Sequence, residues 1–167
     1  MKSKKKHVLL NLSVLLSIFI SCGAVSSDNA NIDKINNKPI NTRGNSMQYN
    51  EQEQAVIDTV NYYIAGVESK KDAKENIEKA FYSSTNLHSV GEDGKLKFLP
   101  RDALVQYVAG DMPETKGEIL DVEVINDMAL VKVRLILKEF DFFDYLTLLK
   151  LDSGWKIVSK TFTIIDK

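Results

Sequence analysis

Two long runs of aromatic and β-branched residues near the end of the chain constrain its fold more than any other feature. They lie in the segment FFDYLTLLKLDSGWKIVSKTFT, residues 142–163. Residues of these types favour strands, and Asp152, Ser153 and Gly154 between the two runs are typical of a tight turn. The segment therefore predicts a long β-hairpin.

Strict alternation along this hairpin sorts its side chains into two sets if Leu151 lies opposite Trp155. One face then carries Phe143, Tyr145, Thr147, Leu149, Leu151, Trp155, Ile157, Ser159 and Thr161, and the other carries Phe142, Asp144, Leu146, Leu148, Lys150, Lys156, Val158, Lys160 and Phe162. Neither face is cleanly polar, so we expect both to be covered. The chain's own helices would cover the first face, and a second subunit would cover the other.

The chain before the hairpin predicts further helices and strands. Apolar residues recur at three- and four-residue spacing after Glu51 and predict an amphipathic helix of about four turns. Asp72 with Glu75 predicts a capping box at the start of a second helix, which carries Phe81 and stops at Ser83. Further predicted elements are a small hairpin at 85–90 and 95–99, a helix at 100–109, and strands at 120–125 and 128–137.

The predicted order of elements is α-α-β-β-α-β-β-β-β. Helices first and antiparallel strands last indicate an α+β domain in which a curved sheet wraps the long helix. A chain of 167 residues suits one such domain.

Three segments carry a resemblance to a known family: AVIDTVNYYIAGVESKKD, IEKAFYSSTNLHSV and DYLTLLKLDSGWKIVSKTF. They resemble the putative lumazine-binding family of the nuclear transport factor 2-like, cystatin-like superfamily, from about Glu51 to Ile164. The resemblance implies a cone with a pocket between sheet and helices, and subunits that often pair through the sheet. These motifs are structural, so they specify the fold and not the activity.

The first 21 residues predict a bacterial lipoprotein signal. Lys2, Lys4, Lys5 and Lys6 form a basic start, and a mostly apolar run of thirteen residues follows at 8–20. The run is too short to span a bilayer. It ends in a sequence that resembles a lipobox, with Ser21 before Cys22, the only cysteine of the chain. The alternatives are an ordinary cleaved signal or a buried free thiol, but we expect Cys22 to be lipidated.

The predicted organisation is therefore a signal at 1–21, a tether at 22–50 and a nuclear transport factor 2-like domain at 51–167. The tether contains seven asparagines and has no lasting periodicity. This organisation predicts a protein that is lipid-anchored in the bacterial cell envelope and exposed to the periplasm or the exterior.

Charge and motifs exclude several functions. Four of the 22 basic side chains precede Cys22, and the remaining 18 against 23 acidic ones give a formal charge of −5. This acidic balance argues against nucleic-acid binding. The sequence contains no glycine-rich phosphate loop, cysteine pair or His-x-x-x-His spacing, so we predict neither a metal nor a cofactor.

Alternation predicts the polar residues of a pocket, with Trp155 as an apolar wall. The predicted pocket residues are Tyr63, Tyr107, Tyr145, Thr147, Trp155, Ser159 and Thr161. For the three large aromatic residues among them, Tyr63, Tyr107 and Trp155, ordinary core packing is the alternative.

The opposite face of the hairpin predicts an association surface. It carries Leu146, Leu148, Val158 and Phe162. Exposed together, they would form an apolar patch of a kind that monomers seldom show, so we expect a homodimer that pairs through this patch.

The resemblance implies that enzymes of the superfamily use an inward carboxylate or histidine as general base, with a tyrosine as hydrogen-bond donor. In this sequence that set of residues is incomplete. Asp144 falls on the opposite face from Tyr145, and His88 alternates with Leu87, which should take the core side. His88 is therefore a candidate general base, although a position at the surface or rim is the simpler interpretation.

The leading hypothesis is a domain that binds a small, largely apolar or aromatic ligand or a protein partner without catalysis. The alternatives are an acid–base enzyme of the isomerase or dehydratase type, and a purely structural envelope dimer.

Overall fold

Three helices and six strands follow one another in the computed structural model, which describes residues 50–110 and 112–167. The helices are α1 (Glu51–Glu68), α2 (Ala73–Ala80) and α3 (Arg101–Val108), and the strands are β1 (Phe81–Val90), β2 (Leu96–Pro100), β3 (Lys116–Ile125), β4 (Met128–Ile136), β5 (Phe140–Leu151) and β6 (Gly154–Asp166). This order is the predicted one, and the α+β class is confirmed. Cys22, the predicted signal at 1–21 and positions 22–49 of the predicted tether lie outside the described residues.

A capping box begins α1. The sequence had instead predicted a capping box at the start of the second helix. The side chain of Asn50 accepts hydrogen bonds from the backbone N–H groups of Gln52 and Glu53 at 3.0 and 2.9 Å, and Glu53 accepts the N–H of Asn50 at 2.9 Å. The box predicted at Asp72 is wrong, because Asp72 has a left-handed backbone (φ 57°) and makes no capping side-chain bond. The α1 helix is 18 residues long, about five turns rather than four.

The six strands form one curved sheet in the order β2-β1-β6-β5-β4-β3. All neighbours are antiparallel except β1 and β6, which run parallel. The last strand therefore lies in the middle of the sheet, between the first strand and β5. Phe81, which the sequence placed in a helix, is the first residue of β1, and its side chain is buried.

A β-bulge at Val158 interrupts the alternation of the last hairpin. Thr147 pairs with Ser159 and the next pair is Leu148 with Ile157, so Val158 has no partner on β5. An extra residue on one strand reverses the faces of the residues beyond it. The assumption of strict alternation was therefore wrong, because the extra residue shifts the register of β6 against β5.

We call the side of the sheet that faces the helices the inner face, and the opposite side the outer face. On the last hairpin the inner face carries Phe142, Asp144, Leu146, Leu148, Trp155, Ile157, Lys160 and Phe162. Leu146 and Leu148 are fully buried in the core that the sheet forms with Val60 and Tyr63 of α1. The prediction that these two leucines lie on an exposed association surface was wrong, since the helices cover them.

Gly117 of β3 lets α1 lie close against the sheet. A Cβ at this position would stand 2.5 Å from Cγ2 of Ile64, so any side chain would push the helix away. The carboxylate of Glu68 also accepts the Gly117 N–H at 2.7 Å and ties the end of the helix to the strand. Close contact along α1 brings Tyr63 over the middle of the inner face.

None of the helices within 50–110 and 112–167 combines the length and the apolar character that crossing a membrane requires.

Candidate functional site

The interior between α1 and the sheet contains a cluster of three polar side chains. Tyr63 donates its hydroxyl to Oδ2 of Asp144 at 2.7 Å, and Lys160 Nζ lies 2.7 Å from the same oxygen. Lys160 also donates to the hydroxyl of Tyr63. The exposed fractions of Tyr63, Asp144 and Lys160 are 0%, 0% and 4%. We call these three residues the buried triad.

Strand pairing explains how Asp144 and Lys160 meet. Asp144 pairs with Phe162 and Leu146 pairs with Lys160, so the two charged residues are diagonal neighbours on one face of the β5–β6 ladder. Tyr63 comes from the apolar stripe of α1, where its ring packs edge-on against Phe81 with the centroids 5.3 Å apart. The tyrosine position was predicted from its spacing, whereas the role of Asp144 and Lys160 was missed.

The signal for the charged pair was present in the sequence. Alternation already placed Asp144 and Lys160 on one face of the hairpin, among leucines. Two opposite charges on a largely apolar face suggest a buried pair, because charges seldom enter a core alone. That face was expected to pair with a second subunit, and the two charges on it were not recognised as a buried pair.

Burial dominates the electrostatics of the triad. Desolvation lowers the pKa of Lys160, and the nearby Asp144 carboxylate acts in the opposite direction. Desolvation raises the pKa of Tyr63 well above its usual value, with a further contribution from the charge of Asp144. Tyr63 therefore remains a neutral hydrogen-bond donor up to strongly alkaline pH.

Aromatic side chains continue the inner face beyond the triad. The ring centroids of Phe142 and Phe162 are 5.9 Å apart, and those of Phe140 and Phe142 are 5.4 Å apart. Lys160 Nζ lies 5.2 Å from the centroid of Phe162, so these rings and the triad are contiguous. The three phenylalanines are only half-buried, unlike the fully buried core residues beside them. We call Phe140, Phe142 and Phe162 the aromatic rim.

Four of the predicted pocket residues lie on the outer face, away from the triad. Tyr145 is 51% exposed, and Thr147, Ser159 and Thr161 share its face. Their placement in an interior pocket was wrong, since the helices pack against the opposite face of these strands. His88 also lies on the outer face, opposite Phe98 and Thr161, whereas Leu87 is buried on the inner face as predicted.

The remaining predicted pocket residues are Trp155 and Tyr107. Trp155 is buried on the inner face near the hairpin turn, and the pairs Leu146–Lys160 and Leu148–Ile157 separate it from Asp144. Tyr107 lies half-buried on α3, which packs against α2, β1 and β2, and burial raises its pKa. Only Tyr63 of the seven predicted pocket residues thus belongs to the triad.

The outer face exposes large apolar side chains between charged ones. Phe98, Leu130, Tyr145 and Ile125 are between 43% and 61% exposed. Two columns of opposite charge lie on β3 and β4, with Glu118 opposite Arg134 and Asp121 opposite Lys132. Lys132 lies over the ring of Tyr145 with Nζ 5.7 Å from its centroid. Of the four predicted association residues, Leu146 and Leu148 are fully buried and Val158 and Phe162 are half-buried.

The described residues offer no metal site, and an open groove lies on them away from the triad. No group of three His, Cys, Asp or Glu side chains within 50–110 and 112–167 is arranged to hold a metal ion. An open groove of about 460 Å³ lies beside Asn50, Glu51, Gln52 and Val124. It is at the start of α1, more than three turns before Tyr63, and is therefore separate from the triad.

Comparison with known proteins agrees with this architecture. A family profile described as "Putative lumazine-binding" matches residues 51–163. No curated protein sequence matches the chain significantly.

Solved structures of similar fold come from several bacteria. An NTF2-like (nuclear transport factor 2-like) protein of unknown function from Shewanella baltica superposes with a TM-score of 0.64 at 22% identity, over 73% of this chain and 100% of that one. One from Methylobacillus flagellatus gives 0.58 at 24% identity, over 73% and 99%. A domain of unknown function with a cystatin-like fold from Nostoc punctiforme gives 0.52 at 19% identity, over 70% and 78%. These similarities establish the fold.

Proposed function

The chain belongs to the putative lumazine-binding family, and from that premise we propose that its domain binds a small, largely aromatic ligand in the cone without converting it. In the same proposal, a lipid on Cys22 holds the domain at a membrane of the bacterial cell envelope. The expected occupant of the cone contacts both the buried triad and the aromatic rim.

The aromatic rim is the observation that carries this proposal. Phe140, Phe142 and Phe162 continue the apolar inner face next to the triad, yet they are only half-buried where their neighbours are fully buried. Ligand sites are typically apolar concavities with a few fixed polar groups. Stacked and edge-on contacts with such rings favour a flat aromatic ligand. The rim would supply those contacts, and the triad would supply the polar ones.

The hydrogen bonds of the triad support a binding role. Oδ2 of Asp144 already accepts from the Tyr63 hydroxyl and the Lys160 ammonium. Both donors belong to the protein, and they hold the carboxylate in one fixed orientation, as recognition of a bound ligand requires. We therefore assign Asp144 to recognition.

An acid–base enzyme is the second candidate, and one contact favours it. An inward carboxylate hydrogen-bonded to tyrosine is the arrangement that the superfamily resemblance implies for isomerases and dehydratases, and Asp144 with Tyr63 provides it. The outer-face position of His88 removes it as the base of such an enzyme. Turnover of any ligand that Asp144→Asn abolishes without weakening its binding would favour this candidate.

We further propose that the outer face pairs with a second copy of the chain. The columns Glu118–Asp121 and Arg134–Lys132 lie side by side, so a two-fold arrangement can set each column against the opposite charges of the other copy. Leu130, which continues the basic column along β4, and Tyr145, which pairs with Lys132, would be covered by the second copy. This surface replaces the one that the sequence analysis had placed at Leu146 and Leu148.

Calorimetric titration with a panel of flat heteroaromatic and aliphatic compounds tests ligand binding. We expect heat only from aromatic members, and we expect Phe162→Ala to weaken their binding about tenfold or more because it removes a ring contact. Val158→Ala is the matched control, since Val158 is a half-buried apolar residue of the same strand outside the triad and the rim. Absence of binding by any aromatic compound would refute the proposal.

A further inference from the structure

The triad leaves one acceptor and one donor without a protein partner among the described residues. Oδ1 of Asp144 is buried and accepts no hydrogen bond, although Oδ2 of the same carboxylate has two donors. An ammonium group has three N–H donors. Lys160 directs two of them to Asp144 and Tyr63, which leaves one.

Such an unpaired oxygen calls for an explanation, because nearly all buried polar atoms in folded proteins are hydrogen-bonded. Oδ1 of the other buried aspartate, Asp141, also lacks a hydrogen bond, but it lies beside a cation. Asp141 has the guanidinium of Arg134 at Oδ2, and Lys167 Nζ lies 2.9 Å from Oδ1. Asp144 is less exposed than Asp141, at 0% against 4%, and has a cation only at Oδ2. The two aspartates thus differ in their ion pairs: Oδ1 of Asp141 is paired with Lys167, whereas the ion pair of Asp144 is at Oδ2.

The spare acceptor and the spare donor are neighbours. Lys160 Nζ is 2.7 Å from Oδ2, which shares its carbon atom with Oδ1. A cyclic amide presents the complementary pair, an N–H donor next to a C=O acceptor, in one rigid plane. Phe162 pairs directly with Asp144 across the strands, and its ring also lies against Lys160, so an aromatic surface adjoins both groups.

We infer that the cone recognises a planar ligand by a cyclic amide edge, whose N–H donates to Asp144 Oδ1 and whose C=O accepts from Lys160. This inference rests on the proposed binding function and adds the chemical class of the ligand. Tyr63 is a positioning residue in it. Its hydroxyl bonds both Asp144 Oδ2 and Lys160 Nζ, and these bonds hold the two recognition groups in place.

A matched pair of ligands tests the inference on the full-length protein without any mutation. Lumazine carries ring N–H groups beside carbonyls, and 1,3-dimethyllumazine keeps the same rings and carbonyls but has methyl groups in place of those hydrogens. We expect lumazine to bind at least about tenfold more tightly by calorimetry, because a site built to accept an N–H discriminates strongly against a ligand that lacks it.

The variant Asp144→Asn provides a second test of the inference. The amide oxygen must take the place of Oδ2 to keep the bonds from Tyr63 and Lys160, so the NH₂ group stands where Oδ1 was and offers a donor. We expect lumazine to lose at least about tenfold in affinity and dimethyllumazine to change little. Thr161→Ala on the outer face is the control and should leave both affinities unchanged. Circular dichroism establishes that each variant is folded.

The outcomes separate the inference from the proposed function. Equal binding of the two lumazines, or tighter binding of the dimethyl compound, would overturn the amide-edge inference and leave aromatic binding in the cone standing. Binding of other flat aromatic compounds but of neither lumazine would do the same. Absence of binding by the whole aromatic panel would overturn both. A preference for lumazine that Asp144→Asn does not reduce would place recognition elsewhere and also overturn the inference.

Discussion

Lys160 Nζ lies 2.7 Å from Asp144 Oδ2 inside the core, with the side chain of Lys160 5% exposed and that of Asp144 0%. Two opposite charges taken out of water stabilise a fold only weakly compared with apolar residues, but either one alone is costly. The stability of this domain should therefore depend on keeping both charges or removing both.

Lys160→Met tests this dependence, because it leaves the Asp144 carboxylate buried without its cation. We expect the free energy of unfolding in urea to fall by about 3–5 kcal/mol. Lys150→Met, at an exposed position of the same hairpin, should change it by no more than about 0.5 kcal/mol. The double variant Asp144→Leu/Lys160→Met should be more stable than Lys160→Met. Similar effects of the two lysine substitutions would contradict a buried charged pair.

Tyr63 should make the fold sensitive to alkaline pH. Its pKa in the folded state is raised above the unfolded value of about 10, so its contribution to stability is complete below pH 10 and is lost as the pH rises further. Lys160 acts oppositely: its pKa is lowered, so its contribution increases as the pH rises towards about 10.4.

Urea unfolding between pH 9 and pH 11 measures the tyrosine contribution. The wild-type protein should lose stability above pH 10, and Tyr63→Phe should show a smaller loss over the same range. Tyr145→Phe, at a 51% exposed position, should behave as the wild type does. An unchanged pH profile for Tyr63→Phe would argue against the role of Tyr63.

Association through the outer face predicts that Leu130→Glu converts a dimer into a folded monomer. Leu130 is 43% exposed, and a buried carboxylate would disfavour the interface. Tyr62→Glu, at a 44% exposed position of α1, should leave the dimer intact. Leu148→Glu should instead unfold the domain, because Leu148 is fully buried. Sedimentation equilibrium distinguishes these outcomes, and a wild-type protein that stays monomeric at high concentration would refute the dimer.

Close packing of α1 on β3 predicts that Gly117→Ala destabilises the domain by about 1–3 kcal/mol, since the added methyl group overlaps Ile64. The same substitution should cost less in an Ile64→Ala background, where two of the three overlapping atoms are gone. Gly110→Ala is the control, because a Cβ there meets only ordinary contacts at 3.4 Å. Equal costs of Gly117→Ala in both backgrounds, measured by urea unfolding, would show that Ile64 is not the obstacle.

Lipid anchoring predicts that Cys22→Ala moves the protein from the membrane fraction to the soluble fraction while the domain stays folded. The lipids on a mature amino-terminal cysteine supply more than one acyl chain, which stable attachment requires. Metabolic labelling with a radioactive fatty acid should mark the wild-type protein and not the variant. A wild-type protein that is unlabelled and freely soluble would rule out the anchor.

The sequence by itself determined the class of fold and the order of its elements. Periodicity distinguished helices from strands, and the turns around Gly91–Gly94, Asn126–Asp127 and Asp152–Gly154 fixed where strands reverse. These features are local, because each depends on residues a few positions apart. The same local alternation placed Leu87 inward and His88 outward, and it grouped Asp144 with Lys160.

Only the tertiary structure decided which face of the last hairpin the helices cover. Both faces are partly apolar, so hydrophobic pattern alone cannot choose between them. The bulge at Val158 places Trp155 and Ile157 on the same face as Leu148. The bulge arises from the pairing of β6 with β5, and no residue type within β6 predicts it. The triad needed α1 as well, since Tyr63 lies 81 positions from Asp144 in sequence and reaches it only when the helix packs on the sheet.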